Sequence, residues 1–290
     1  MPTQRLPTGI DLYYETHGAG DPIVLSPSTG FSSDVWHLYQ VPELSKSHQV
    51  IIFDPRGVGR TTHYEGVYTI DQMACDLVAL LDHLKIDAAH ILGHSMGGRV
   101  ALCVALNYPG RVKSLIMAAS GSGAAARPGE ECVPGMSFGF VQALVGRSHE
   151  EHIRHSILES ENYLTADFRE RHPDRAQALY EAVRGQHAGW PETLRQTMAR
   201  TSWEATHRLG DLVVPTLIMV GDRDQSGSNH VDQADQLQAR IKDAEFVRIK
   251  GCSHGFFWQE PEETNRIILD WLARHAAASP HLVRTPVAAG

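Results

Sequence analysis

The chain is short of paired cysteine, of positive charge and of long apolar runs, and each shortage removes a class of protein. Its four cysteines, Cys75, Cys103, Cys132 and Cys252, show no paired spacing. A disulfide framework or a zinc ribbon is therefore not expected. Lysine and arginine number 26 against 34 aspartates and glutamates, a formal net charge of −8. Nucleic-acid binding needs a basic face, so no such partner is expected. No apolar run reaches the length that spans a bilayer, which argues against a membrane role. The start carries no basic-then-apolar signal, so the expected compartment is the cytoplasm.

What is present suits a soluble globular protein of 290 residues, 42% hydrophobic and 21% charged. Short apolar runs bounded by turn residues lie at Ile10–Glu15, Pro22–Leu25, Val50–Phe53, His90–Leu92, Arg111–Ala118, Val213–Val220 and Glu245–Ile249. Such runs suit parallel strands covered on both faces. Helical patterns separate them. Thr69-Ile70-Asp71-Gln72 has the form of a capping box, and Met73, Leu77, Leu80, Leu81 and Leu84 follow as one apolar stripe. Pro261 opens another helix, carrying Ile267, Ile268, Trp271 and Leu272. The alternation predicts a mostly parallel, doubly wound α/β sheet. From about Gly135 to Leu209 the chain is polar and helical, with no strand runs. The expected organisation is core at 1–122, a helical cap insert at 123–209, core again at 210–278, and a tail at 279–290 with little to bury.

Gly93-His94-Ser95-Met96-Gly97-Gly98 sits between a strand pattern and a helix pattern. That is the setting of a nucleophile elbow, in which glycines allow a turn tight enough to expose the serine. A serine hydroxyl needs a base and a group that orients the base. Gly221-Asp222-Arg223-Asp224 and Gly251-Cys252-Ser253-His254 end the last two strand patterns. Ser95, Asp224 and His254 are the candidate nucleophile, acid and base, with Asp222 the competing acid. Two backbone N–H groups must hold the developing oxyanion. The candidates are Met96, after the nucleophile, and Thr29, in the loop Ser26–Phe31; Pro27 has no N–H to offer.

These motifs resemble the serine-nucleophile branch of the α/β-hydrolase fold superfamily. The resemblance rests on the elbow, on Phe53-Asp54-Pro55-Arg56-Gly57-Val58-Gly59-Arg60, and on the two loops that carry Asp224 and His254. The Asp54–Arg60 turn reads as structural. Ser26-Pro27-Ser28-Thr29-Gly30 is similar to the Ser-Asn-Ser-Leu-Gly loop of 3-oxoadipate enol-lactonases, with Pro and Thr in place of Asn and Leu. The resemblance implies an α/β-hydrolase fold with a helical cap, and an enzyme without cofactor or metal that hydrolyses a small carboxylic ester or lactone. A serine at position 95 disfavours the dehalogenases and epoxide hydrolases of this fold, which use aspartate. Hydrolysis of a carbon–carbon bond in a ring-cleavage product is the alternative. A slow-turnover ligand receptor is the alternative from another class. A homo-oligomer is compatible with the sequence.

Several residues invite roles beside the triad. Phe31, Trp36, Phe138, Phe140, Trp190 and Trp203 are candidate pocket aromatics, although packing is the commoner use. Phe256, Phe257 and Trp258 are placed to buttress His254. Arg147, Arg154 and Arg184 are available to an anionic substrate, but surface charge is the simpler reading. His149, His152 and His155 read as the solvated face of a cap helix rather than a metal site. Cys252, two residues before His254, suggests sensitivity to thiol reagents.

Overall fold

The structure, a computed structural model, describes residues 3–63, 65–123, 146–184, 189–224, 226 and 230–276. Cys132, Phe138, Phe140, the first part of the expected insert and the tail lie outside the described residues.

Eight strands form one sheet: β1 (Thr3–Arg5), β2 (Asp11–His17), β3 (Asp21–Ser26), β4 (His48–Phe53), β5 (Ala89–His94), β6 (Val112–Ala118), β7 (Thr216–Gly221) and β8 (Glu245–Ile249). Their order is β1-β2-β4-β3-β5-β6-β7-β8. β1 and β2 pair antiparallel, β2 pairs antiparallel with β4, and from β4 to β8 every pairing is parallel. This is the mostly parallel α/β sheet that the alternation predicts, arranged as the resemblance implies. β1 has no apolar pattern and escaped the sequence reading. β7 begins at Thr216 rather than Val213, because Pro215 lacks the N–H that a ladder needs.

Period-two alternation assigns the side chains to two cores. Val24, Ile51, Ile91, Leu115, Met117, Ile218 and Val220 point to one face. There they meet the helices Ile70–His83, Met96–Asn107 and His230–Arg240, whose stripes include Leu77, Leu81, Val104 and Leu237. Ile23, Leu25, Ile52, Leu92, Ile116, Leu217 and Met219 point to the other. That face is covered by Trp36, Leu44, Trp258 and the helix Pro261–His275 through Ile268, Trp271 and Leu272. Thr69 closes the capping box on both sides, its hydroxyl accepting from Gln72 N at 3.0 Å and its N–H donating to the Gln72 side chain at 3.2 Å.

The Asp54–Arg60 turn packs as a structural unit. Buried Asp54 accepts from Ser33 N at 2.9 Å and from Arg60 Nε at 2.8 Å. Arg56 makes a two-pronged contact with Asp76, Nε to Oδ2 at 3.0 Å and Nη2 to Oδ1 at 2.8 Å, with both side chains buried. Burial alone pushes the Asp76 carboxyl up, and the Arg56 contacts only partly offset this. The helices Pro173–Arg184 and Trp190–Ser202 lie between β6 and β7 in the chain.

Deleting one partner of a buried ion pair leaves an uncompensated charge. Asp76→Ala is expected to lower unfolding free energy by about 3–5 kcal/mol in urea titrations. A loss below about 1 kcal/mol would show that Arg56 finds other partners.

Candidate active site

The carboxyl ends of β3, β5, β7 and β8 bring the candidate residues to one place, as open α/β sheets do with their functional loops. Ser95 follows β5 directly and precedes the helix Met96–Asn107. Its backbone has φ 56° and ψ −116°, a conformation that non-glycine residues rarely hold. Close packing around it explains the glycines. A Cβ at Gly93 would overlap the Gly97 carbonyl, and one at Gly97 would overlap the Ser26 carbonyl. Ser95 N donates to Ala118 O at 2.8 Å, and Ser120 Oγ donates to Ser95 O at 2.6 Å. The turn is therefore tied to the end of β6 while the hydroxyl faces a cavity.

His254 follows β8, and its Nδ1 lies 2.7 Å from Oδ2 of Asp224, which follows β7. Asp224 is fully buried. Asp222, the competing acid, instead accepts from Gly251 N at 2.7 Å and acts as a turn former. Ser226 Oγ donates to Asp224 Oδ1 at 2.6 Å. His230 places Nδ1 3.0 Å from Ser226 Oγ and 3.5 Å from Asp224 Oδ2. Burial alone would raise the Asp224 carboxyl. The positive charges it would share with His254 and His230, and their hydrogen bonds, outweigh this and hold it well below the usual carboxylate range. Burial pushes His230 down to about 4, although Asp224 pulls the other way. Asp224, His230 and His254 present possible metal ligands within 4.8 Å of one another, but all three are buried and leave little path for an ion.

Beneath His254 lies His94, with ring centroids 4.7 Å apart. Its Nε2 donates to His254 O at 3.0 Å. Burial, then the neighbouring His254, lowers its pKa well below the ordinary value, so it stays neutral. Phe256, Phe257 and Trp258 pack their rings on His94 rather than on His254 itself. Their support for His254 is indirect.

A cavity of about 180 Å³ is lined by Ser95, His254 and Thr29, with Tyr163, Thr193 and Arg200 on the helical side. A smaller hollow of about 60 Å³ adjoins it and adds the apolar groups Phe31, Ile153 and Ile157. Gln196 holds the loop after β3: its Oε1 accepts from Gly30 N at 2.7 Å and its Nε2 donates to Arg56 O at 3.0 Å. Tyr163 lies 3.0 Å from Ser28 Oγ through its hydroxyl, and its carbonyl accepts from Gly255 N at 2.7 Å. Met96 and Thr29 thus flank Ser95 from the helix start and from the held loop.

The remaining candidates separate by position, the tryptophans in packing and the three arginines at the surface, as the simpler readings have it. Trp36 is fully buried against Phe257 and Trp258, away from the cavity. Trp203 packs against the core. Trp190 packs on His149 and His152. Those two histidines line the hollow instead of facing solvent. Arg154 pairs with Glu159, and Arg184 pairs with Glu181 and Glu150, all at the surface. Arg147 is exposed. The arginine at the cavity is Arg200, whose carbonyl accepts from buried Arg99. Burial lowers the Arg200 guanidinium from its ordinary value. Cys252 is buried, and burial pushes its thiol up to about 12, so the expected thiol sensitivity loses its basis. Ser226, His230 and Arg200 carried no sequence signal, since no motif spacing ties them to the triad.

A model of the alpha/beta hydrolase fold family matches residues 17–261. A protein of Azorhizobium caulinodans provisionally named carbamate hydrolase RutD is 28% identical over 263 residues, covering 89% of this chain and 94% of that one. A malate-bound thermophilic esterase from Thermogutta terrifontis is 26% identical with a TM-score of 0.76, over 95% of this chain and 98% of that one. The enol-lactonase of Burkholderia xenovorans shares the fold at 23% identity and a TM-score of 0.78, over 94% and 100%. No helix among the described residues is long and apolar enough to cross a membrane.

The depressed pKa of His230 makes stability depend on pH. The unfolded histidine takes up its proton near pH 6.5, and the folded one near 4. Between these values the unfolded chain binds more protons, so stability is present above the window and is lost as pH falls through it. His94 acts in the same direction. The midpoint of thermal unfolding is expected to drop between pH 7 and 4.5. His230→Gln should flatten the slope by up to about 1.4 kcal/mol per pH unit. An unchanged slope in the variant would place the titration elsewhere.

Proposed function

The chain belongs to the α/β-hydrolase fold family, and from that premise we propose that it is a cofactor-independent serine hydrolase of small carboxylic esters or lactones. The observation that carries this reading is the 2.7 Å contact of His254 with buried Asp224, beside a cavity that Ser95 and His254 line together. Ser95 Oγ attacks the acyl carbon while His254 Nε2 takes its proton. Asp224 keeps the Nδ1–H tautomer and stabilises the imidazolium. The N–H groups of Met96 and Thr29 receive the oxyanion. The leaving alcohol takes the proton from His254 as the tetrahedral intermediate collapses. Water, deprotonated by His254, then releases the acid and restores Ser95. The names of the carbamate hydrolase and esterase relatives support acyl transfer in general. The helical segment 149–211 we read as part of a cap that sets selectivity.

Arg200 at the cavity favours substrates with an anionic group remote from the reacting carbon. The same cation suits the second reading, hydrolysis of a carbon–carbon bond in a carboxylate-bearing ring-cleavage product.

A chain-length series of p-nitrophenyl esters and a lactone panel test the reaction. Ser95→Ala is expected to abolish turnover, and Asp224→Asn to lower kcat about 10⁴-fold, as loss of the orienting acid does elsewhere. Asp222→Asn should stay within a few fold of wild type. Turnover surviving in Ser95→Ala would remove the nucleophile and the proposal with it.

The Arg200 role has its own test. Arg200→Gln should lower kcat/KM at least about 10-fold for p-nitrophenyl hemisuccinate while leaving p-nitrophenyl butyrate nearly unchanged, the effect of one charge-assisted hydrogen bond. Equal losses on both esters would mean that Arg200 only supports the cavity wall.

A further inference from the structure

We propose that Glu15, His17 and His37, which do not line the Ser95 cavity, form a binding site for one borderline divalent metal ion, zinc foremost. Glu15 and His17 stand two apart on β2 and so share a face of the strand. His37 comes from the 3-10 helix Ser33–Leu38. Both imidazoles turn Nε2 toward the same carboxylate oxygen: Glu15 Oε2 is 2.8 Å from His17 and 3.1 Å from His37. The two rings meet edge to face with centroids 5.2 Å apart. Donors that share a tetrahedral zinc lie roughly 3.3 Å from each other, so these spacings need little adjustment to admit an ion. Imidazole nitrogen with a carboxylate is a donor set for zinc, copper or nickel rather than for magnesium or calcium.

The surroundings support a cation. Glu15 Oε1, the oxygen not facing the histidines, accepts from Tyr13 Oη at 2.8 Å and lies 3.9 Å from Arg60. Such outer contacts orient a ligand and leave the other oxygen to the metal. Arg60 is itself held by Asp54 and Asp34, so three carboxylates surround one guanidinium and the local balance is negative. The side chains of His17 and His37 are 32% and 38% exposed, which gives an ion a path and leaves room for water as a further ligand. The ligands come from two elements without a sequence motif, so spacing alone conceals them. An ion here would fasten the 3-10 helix to β2, just beyond the loop that carries Thr29.

Zinc is the probe. Chelator-stripped full-length protein is titrated with zinc against a chromogenic chelator, and thermal unfolding is followed with and without zinc. Wild type should bind one more equivalent than His37→Asn or His17→Gln, and zinc should raise its melting temperature but not theirs. His230→Gln should keep that equivalent, which separates the site from the Asp224 group. Tyr13→Phe should weaken the affinity about 10-fold. Retained Ser95-dependent turnover checks that the histidine variants are folded. The proposal is overturned if both histidine variants bind as many equivalents as wild type with equal affinity, or if wild type binds none; the three groups would then be a plain hydrogen-bonded cluster.

Discussion

The left-handed backbone at Ser95 is the constraint around which the carboxyl edge of the sheet is arranged. Such a conformation costs about 1–3 kcal/mol and persists only where neighbours over-determine it. Here the neighbours are identifiable. Ala118 O and Ser120 Oγ bind the two ends of the residue's own peptide groups. Gly93 and Gly97 let the turn sit directly against the Ser26 carbonyl and the start of its own helix. Strands β3, β5 and β6 therefore meet at one residue. Each must end where it does for the hydroxyl to stand in the cavity.

A second level of organisation joins the helical segment to both functional loops. Gln196 binds the loop after β3, Tyr163 reaches both that loop and Gly255, and Ser253 Oγ donates to Glu161 O at 2.6 Å. Gln259 adds a contact to Thr165 at 3.0 Å. The buried histidines work differently. His94 and His230 are held toward the neutral form by burial. Ser226 holds one oxygen of Asp224 at 2.6 Å, and the other faces His254 at 2.7 Å and His230 at 3.5 Å.

What could be read in the sequence was whatever has a period or a local motif. The strands Val50–Phe53 and Glu245–Ile249, the capping box at Thr69 and the helix from Pro261 follow from apolar spacing and terminal residues. The setting of Ser95 follows from glycines whose purpose is local. Asp224 stands out from Asp222 in the sequence only by lying further out on its loop, because both suit a turn; in the structure it is Asp224 that meets His254. Trp36 illustrates the opposite limit: an aromatic near a loop at the cavity in sequence fills the core, since the 3-10 helix Ser33–Leu38 packs it onto Phe257 and Trp258. Arg200 and His230 belong to helices whose surface pattern looks ordinary, and only the folded chain brings both to the cavity. β1 makes its three pairings at the sheet edge with no apolar face, so nothing in its composition marks it.

The bridge made by Gln196 has an evolutionary consequence. One amide side chain from the helical segment satisfies a backbone donor in the loop of Thr29 and a backbone acceptor in the turn of Arg56. Segments inserted at this place in a fold are natural units for exchange between relatives. In this chain a transplanted segment lacking that amide would arrive with its own selectivity and remove a support from the loop beneath it. Substitution within the segment keeps this bridge, whereas wholesale replacement without an amide here leaves the Gly30 N–H and the Arg56 carbonyl to find other partners.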